Sequence, residues 1–215
     1  MNIILIGAPG CGKGTQAANI AEEFKLTEIS TGAMLRKSIA DGNELGKIAE
    51  NYIKDGKLIP DSVMIDLVMD RVSHEDCKNG FLLDGFPRTL AQAEAMTQAG
   101  INVDIALMIH VSDEKITERL SGRRTCGNCS MTYHVIYKPS DKGDVCQSCD
   151  SPLIIREDDT PEVIKNRLSI FRQTTAPAVE YYNKLGKLII VEGAEVVQET
   201  TERVLTALRT WNDKC

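Results

Sequence analysis

The sequence predicts an α/β fold, a parallel sheet flanked by helices with a smaller module set into it. Short apolar runs without polar alternation read as strands buried on both faces. Helical segments separate them, the order expected of a parallel sheet. Between 122 and 159 this periodicity fails in a stretch rich in Cys, Gly, Pro, Asp and Ser. With 215 residues and 42% hydrophobic content, the chain can bury a sizeable core.

Residues 2–6 form the first apolar run, and 15–24 read as the first helix. Residues 26–30 supply a second strand. Residues 31–59 read as helical pieces broken at Asp41-Gly42 and Asp55-Gly56. Asp61 is placed as the N-cap of a helix carrying Val63, Leu67 and Val68. Phe81-Leu82-Leu83 is a short buried strand ending in Asp84. A helix over 89–98 stops at Gly100. A strand over 104–111 and a helix over 113–120 follow. Thr160 is set as an N-cap with Pro161 at the first helical position of a long helix. Leu188-Ile189-Ile190-Val191 is the last strand and 195–211 the last helix. The order of strands in the sheet is not legible, and no internal repeat is present.

The net charge is −6, with 31 acidic against 25 basic residues, which argues against broad nucleic-acid binding. No 18-residue apolar run suggests a membrane span, and the first residues lack signal-peptide character. A cytosolic location is therefore expected. The seven cysteines, an odd count, do not suggest a disulfide framework. The absence of heptads and of a long apolar stripe points to a monomer.

Gly7-Ala8-Pro9-Gly10-Cys11-Gly12-Lys13-Gly14-Thr15 lies between the first strand and the first helix. Glycines let the backbone curl so that several N–H groups face one anion. The helix N-terminus adds partial positive charge, and Lys13 a full one. Gly7-x4-Gly12-Lys13 fits the P-loop pattern, although Gly14 intervenes before the hydroxyl of Thr15. Cys11 inside this cradle is either a thiol activated by Lys13 and the helix, or an inert small side chain.

Cys126-x2-Cys129-x16-Cys146-x2-Cys149 places two knuckles at a spacing suited to tetrahedral zinc. Four thiolates close the coordination sphere, so the site is structural. A module with almost no core needs such a staple. His134, between the knuckles, is an alternative ligand or a surface or pocket-lining residue. A zinc ribbon by itself would suggest nucleic-acid binding, but Lys138 and Lys142 are offset by Asp141 and Asp144.

Arg36, Arg88, Arg119, Arg123, Arg156 and Arg167 are spread along an acidic chain. Phosphoryl transfer requires several cations on one site, because its transition state spreads negative charge over equatorial oxygens. The cradle, Ser30-Thr31-Gly32-Ala33-Met34-Leu35-Arg36 and Phe81-Leu82-Leu83-Asp84-Gly85-Phe86-Pro87-Arg88-Thr89 together resemble the adenylate kinase family. Gly122-Arg123-Arg124, Arg156-Glu157-Asp158-Asp159 and Thr175-Ala176-Pro177 add to the resemblance, which spans essentially the whole chain.

It implies a P-loop NTPase-type core (1–29, 60–121, 160–215), an AMP-binding insertion (30–59) and a zinc-bound closing lid (122–159), as in the bacterial long-lid form. The implied reaction is ATP + AMP to two ADP with Mg²⁺. Lys13 would stabilise the transferring group, with Gly10, Cys11, Gly12, Gly14 and Thr15 around the ATP phosphates. Arg123 would grip ATP from the lid, Arg119 would stack on its adenine, and Thr132 and Tyr133 would touch it. Arg36, Arg88, Arg156 and Arg167 resemble the arginines of AMP and of the transition state. Thr31, the backbone of Lys57, Leu58 and Ile59, and Gly85, Phe86, Pro87 and Gln92 resemble the AMP pocket. Asp84 resembles the carboxylate that holds magnesium through water, and Asp158 and Asp159 would pair with arginines on lid closure. The family has Asp where this chain has Ala33, a position associated with the magnesium water shell.

The rival readings are a kinase using GTP as donor or UMP or CMP as acceptor, and a zinc-ribbon nucleic-acid binder. A GTPase switch is disfavoured because no Asn-Lys-x-Asp run is present.

Overall fold

The computed structural model describes residues 1–213. Its main sheet has five strands, all parallel. They are β1 (Ile3–Ile6), β2 (Thr27–Ser30), β3 (Phe81–Asp84), β4 (Ile105–His110) and the last strand, Leu188–Glu192, in the order β2-β3-β1-β4-last. β1 is central and wholly buried, which is why it reads as an unbroken apolar run. Ile3, Leu5, Leu82 and Ile105 pack on one face with Ala17 and Ile20 of α1 (Lys13–Phe24). Ile4, Leu83 and Ala106 pack on the other with Val68 and Tyr182 of two later helices.

The chain leaves β1 towards β2 on one side and later crosses to β4 on the other. The strand order therefore reverses beside β1. In open parallel sheets the crevice beyond the carboxyl ends of the strands at such a reversal is where ligands bind. The loop that emerges there is the glycine-rich one.

Residues 31–54 form α2 (Thr31–Ala40) and α3 (Glu44–Lys54), broken at Asp41-Gly42 as expected. They cross so closely that a Cβ on Gly46 would lie 2.1 Å from the Ser38 carbonyl oxygen, so only glycine fits. Asn43 caps α3 by accepting a bond from Gly46 N. α4 spans Asp61–Val72 and α5 spans Leu90–Gln98, with Thr89 as the N-cap accepting from Gln92 N. α6 is Asp113–Ser121.

Two caps differ from expectation. Asp61 lies inside its helix, after Pro60. Its carboxylate accepts from Thr89 Oγ1 at 2.9 Å and Gln92 Nε2 at 2.8 Å, so it ties α4 to α5 instead of capping. Thr160 occupies the N-cap position before Pro161, but its side chain makes no capping bond.

The stretch 122–159 holds a second sheet, antiparallel and separate from the first. Its strands are β5 (Arg123–Cys126), β6 (Thr132–His134) and β7 (Leu153–Ile154), in the order β6-β5-β7. Its core is Cys126, Tyr133 and Cys146, with Cys149 and Leu153 against them. α7 (Pro161–Ile170) and α8 (Ala176–Lys184) flank a widened helical turn over 171–175. Pro177 lacks the N–H that a tight continuation would use. Thr175 in that turn donates to Arg88 O at 2.9 Å, anchoring the loop after β3. β8 (Leu188–Glu192) and α9 (Val197–Asn212) complete the described chain. Among the described residues, no helix is long and apolar enough to cross a membrane.

Candidate active site

A cavity of about 1090 Å³ opens at the carboxyl ends of the strands, between the glycine-rich loop, α2–α3 and the small sheet. Gly10, Cys11, Gly12, Lys13, Gly14 and Thr15 all line it. Gly12 is the N-cap of α1 at φ 104°, a conformation L side chains rarely adopt. Lys13 Nζ donates to the carbonyls of Gly7 at 2.6 Å and Ala8 at 3.0 Å, folded over its own loop. Cys11 is only 1% exposed and belongs to the core cluster, which suits the inert side chain, while Lys13 Nζ lies 3.8 Å from its sulfur, as an activated thiol would need.

Arg36, Arg88, Arg123, Arg156 and Arg167 come from five separate stretches of chain and border this one cavity. Arg88 Nε donates to Gly85 O at 2.7 Å. Arg156 is aimed by the small sheet, with Nε donating to Thr125 Oγ1 at 2.7 Å and Nη2 to Thr132 Oγ1 at 3.4 Å. Arg167 Nη1 donates to Asp158 Oδ2 at 2.6 Å. Arg123 forms a two-pronged pair with Asp159. Asp158 and Asp159 are thus already engaged.

Burial is the first reason that Arg36, Arg88, Arg156 and Arg167 are held below the usual arginine value. Each also feels another guanidinium nearby. Arginine nevertheless stays charged in proteins. The two aspartates offset only part of this charge, so the cluster is electrostatically matched to a polyanion.

Thr31, Lys57, Leu58, Ile59, Gly85, Pro87 and Gln92 line the same cavity on its α2–α3 side. Thr31 Oγ1 donates to Asp84 O at 3.2 Å. Lys57 turns its amine away to Asp55, which leaves its backbone to the cavity. Gln92 is held from within: Oε1 accepts from Arg88 N at 2.7 Å and Nε2 donates to Asp61. Each polar atom retains one further bonding site. Phe86 is the exception. It is fully buried in the core with Ile4, Leu83 and Met96, so it anchors the loop and does not face the cavity.

On the lid side, Arg119 lines the cavity with Nη1 donating to Cys11 O and Nη2 to Ala194 O. Thr132 also faces it. Tyr133 also borders the cavity, but it is 2% exposed and points its hydroxyl at Cys146 Sγ, 3.3 Å away, so its ring supports the cysteine cluster. The four sulfurs of Cys126, Cys129, Cys146 and Cys149 lie within 4.8 Å of one another. Tetrahedral zinc with bonds of about 2.3 Å needs sulfurs roughly 3.8 Å apart, so the set fits. The 3.4 Å and 3.6 Å separations of two pairs are far beyond a disulfide bond. His134 is outside this set. It is largely buried, its Nδ1 accepting from Ile136 N and Tyr137 N, and it borders the cavity, so it is a pocket-lining residue and not a ligand.

Three supports were not foreseen: Thr125, which aims Arg156; Asp61, which locks Gln92; and Glu28, which lines the cavity near Asp84. Alternation along β2 would place Glu28 on the face of Ser30, but only the strand order brings that face to Asp84.

A phosphate cradle at the sheet's reversal point, opposed by arginines and by no guanine-reading motif, defines a P-loop phosphotransferase. The adenylate kinase family model matches residues 5–187. Similar proteins include the adenylate kinase of Caldicellulosiruptor bescii, 50% identical over 97% of this chain and 99% of that one. Those of Acetivibrio thermocellus and Ruminiclostridium cellulolyticum are each 47% identical over 97% of this chain, covering 98% and 99% of theirs. The chain belongs to the adenylate kinase family.

Proposed function

We propose that this enzyme catalyses reversible transfer of a phosphoryl group from ATP to AMP, giving two ADP, with its residues divided between two nucleotide subsites. ATP phosphates lie on the amides of 10–15 with Lys13, Arg123 closing from the lid, and Arg119 and Thr132 on the base side. AMP lies against Thr31, Arg36, the backbone of 57–59, Gly85, Pro87, Arg88 and Gln92. Arg156 and Arg167 stand between the subsites, where charge develops on the transferring group. The observation that carries this reading is the convergence of six arginines on one cavity already cradled by a P-loop.

No covalent intermediate is required. Lys13 exchanges its two loop carbonyls for phosphate oxygens, and the arginines supply preorganised charge. Residues 30–59 and 122–159 act as two covers on the core 1–29, 60–121 and 160–213; the expected end of the core at 215 lies outside the described residues. Their closure excludes water, so that ATP is not hydrolysed. A monomer is the state expected from a sequence without heptads or a long apolar stripe. A cytoplasmic location follows from the substrates.

Zinc in the four-cysteine set would hold β5–β7 together, away from bond-breaking. Asp84 suits the magnesium of ATP, since it lines the cavity with its carboxylate beside Gly14 and forms no salt bridge among the described residues. Magnesium bound to ATP neutralises charge on the β- and γ-phosphates.

The test is a coupled assay. ADP should form from ATP only when AMP is present, with GTP as donor and UMP or CMP as acceptors far slower. ATP consumption at equal rate without AMP would overturn the reading.

A further inference from the structure

Two oxygen-bearing positions near the phosphate cradle are vacant of ligand atoms in this sequence. Gly14 stands where the P-loop pattern carries a hydroxyl, and Ala33, across the cavity, bears only a methyl. A Cβ placed on Gly14 would lie 3.7 Å from Asp84 Oδ2, so Asp84 looks directly onto this gap.

The sheet delivers a second carboxylate to the same place. In the parallel β2–β3 pair, Ser30 is level with Asp84 and Glu28 with Leu82. Residues two apart along a strand share a face, so Glu28, Ser30 and Asp84 all project to the α1 side of the sheet. Glu28, Gly14, Ala33 and Asp84 border one cavity. Among the described residues, Glu28 has no salt-bridge or hydrogen-bond partner. The residue is exposed, so its carboxylate reaches the cavity wall without being sealed in the core. Two like charges on one cavity wall disfavour each other; Arg36 and Arg88 offset part of the charge on Asp84, and a hydrated divalent cation beside both carboxylates would offset more.

We propose that Glu28 is a positioning residue for the nucleotide-bound magnesium, orienting one of its waters together with Asp84 in place of the carboxylate absent at Ala33. The proposal rests on the reading above that Asp84 faces that metal. Magnesium keeps several waters when bound, and carboxylates beyond its direct ligands orient them. Glu28 on a strand is fixed in depth by the β2–β3 register, as a residue reaching from a loop is not.

Mn²⁺ serves as the probe, its free concentration read by electron paramagnetic resonance in the presence of enzyme and ADP. Affinity for metal-free ADP is measured separately by calorimetry. Glu28→Gln preserves shape and removes charge. It should weaken Mn²⁺ binding to the enzyme–ADP complex about tenfold, the low end for groups that act through water. Metal-free ADP should bind equally or more tightly, since a like charge has gone. Adding Ala33→Asp to Glu28→Gln should restore Mn²⁺ binding. Unchanged Mn²⁺ affinity in Glu28→Gln would overturn the proposal, as would equal losses with and without metal. Asp84→Asn separates the two readings. If it weakens Mn²⁺ binding while Glu28→Gln does not, only the role of Glu28 falls. If neither does, the placement of the metal falls as well.

Discussion

Arg123 and Asp159 clasp each other through two parallel hydrogen bonds at the neck of the lid. Arg123 opens its first strand and Asp159 ends its last turn before α7. The Asp159 side chain is wholly inaccessible and that of Arg123 is 14% exposed. The pair therefore fixes both ends of the lid in one contact. It also holds Arg123 at the cavity, ready to exchange a carboxylate for a phosphate.

Removing one partner of such a buried pair leaves the other charge uncompensated. Asp159→Asn is expected to destabilise the protein by about 3 kcal/mol, whereas replacing both residues with apolar ones of similar size should recover most of that loss. Urea unfolding of the single and double variants measures the difference. Equal losses in both would show that packing, and not the stranded charge, is responsible.

The zinc site makes a separate prediction. The lid's own core is three buried residues with two neighbours, too few to fold unaided. Chelation should cost about 3 kcal/mol or more, equivalent to roughly 6–12 °C in melting temperature at this chain length. Activity should persist at low temperature, because all four sulfurs are committed to the lid and none to the reacting phosphate. Elemental analysis showing no metal after growth with zinc, or immediate loss of activity in the cold, would contradict this.

What was legible in the sequence was local. The cradle, the strand ending in Asp84 and the two cysteine knuckles are each written within a few residues. The strand order was not, because parallel pairing joins segments tens of residues apart and leaves no mark on either. Glu28 was missed for that reason, since its face is meaningful only once β2 is known to lie beside β3. Asp61 was read as a cap because its partners Thr89 and Gln92 are 28 and 31 residues away. The antiparallel sheet of the lid was hidden because sulfur chemistry and turns, not apolar periodicity, hold it together. Phe86 sits inside a site motif yet serves the core.

Arg36 carries a cost that a bound phosphate would reduce. Its Nε is buried without a hydrogen-bond partner, and burial with the like charges of Arg123 and Arg167 outweighs the attraction of Asp158 and Asp84. Arg36→Met should leave unfolding stability unchanged or raise it by up to about 1 kcal/mol, as when function maintains a strained site. The KM for AMP should rise about 10–100-fold, because a charge-assisted hydrogen bond to phosphate contributes about 1.5–3 kcal/mol. A clear loss of stability would show that the arginine stem packs the cavity wall, and a normal KM would remove it from the AMP subsite.

Asp158 yields a prediction in pH. Burial works to raise its pKa, but Arg167, Arg123, Arg156 and Arg36 together outweigh burial and hold the carboxyl below its usual value. A carboxyl depressed in the folded state stabilises it at pH values above the unfolded-state pKa, near 3.9. That contribution disappears as pH falls through the lower folded-state value. The wild type should therefore be more stable than Asp158→Asn at pH 7, by about 1.5–3 kcal/mol for a hydrogen bond between charged groups. The gap should narrow only below about pH 4. Acid also protonates the cysteines and releases any metal, but it does so in both proteins, so the difference between their denaturant midpoints at pH 7, 5, 4 and 3 isolates this one carboxylate. A gap that stays constant down to pH 3 would mean that Asp158 acts through its shape and neutral hydrogen bonds and not through its charge.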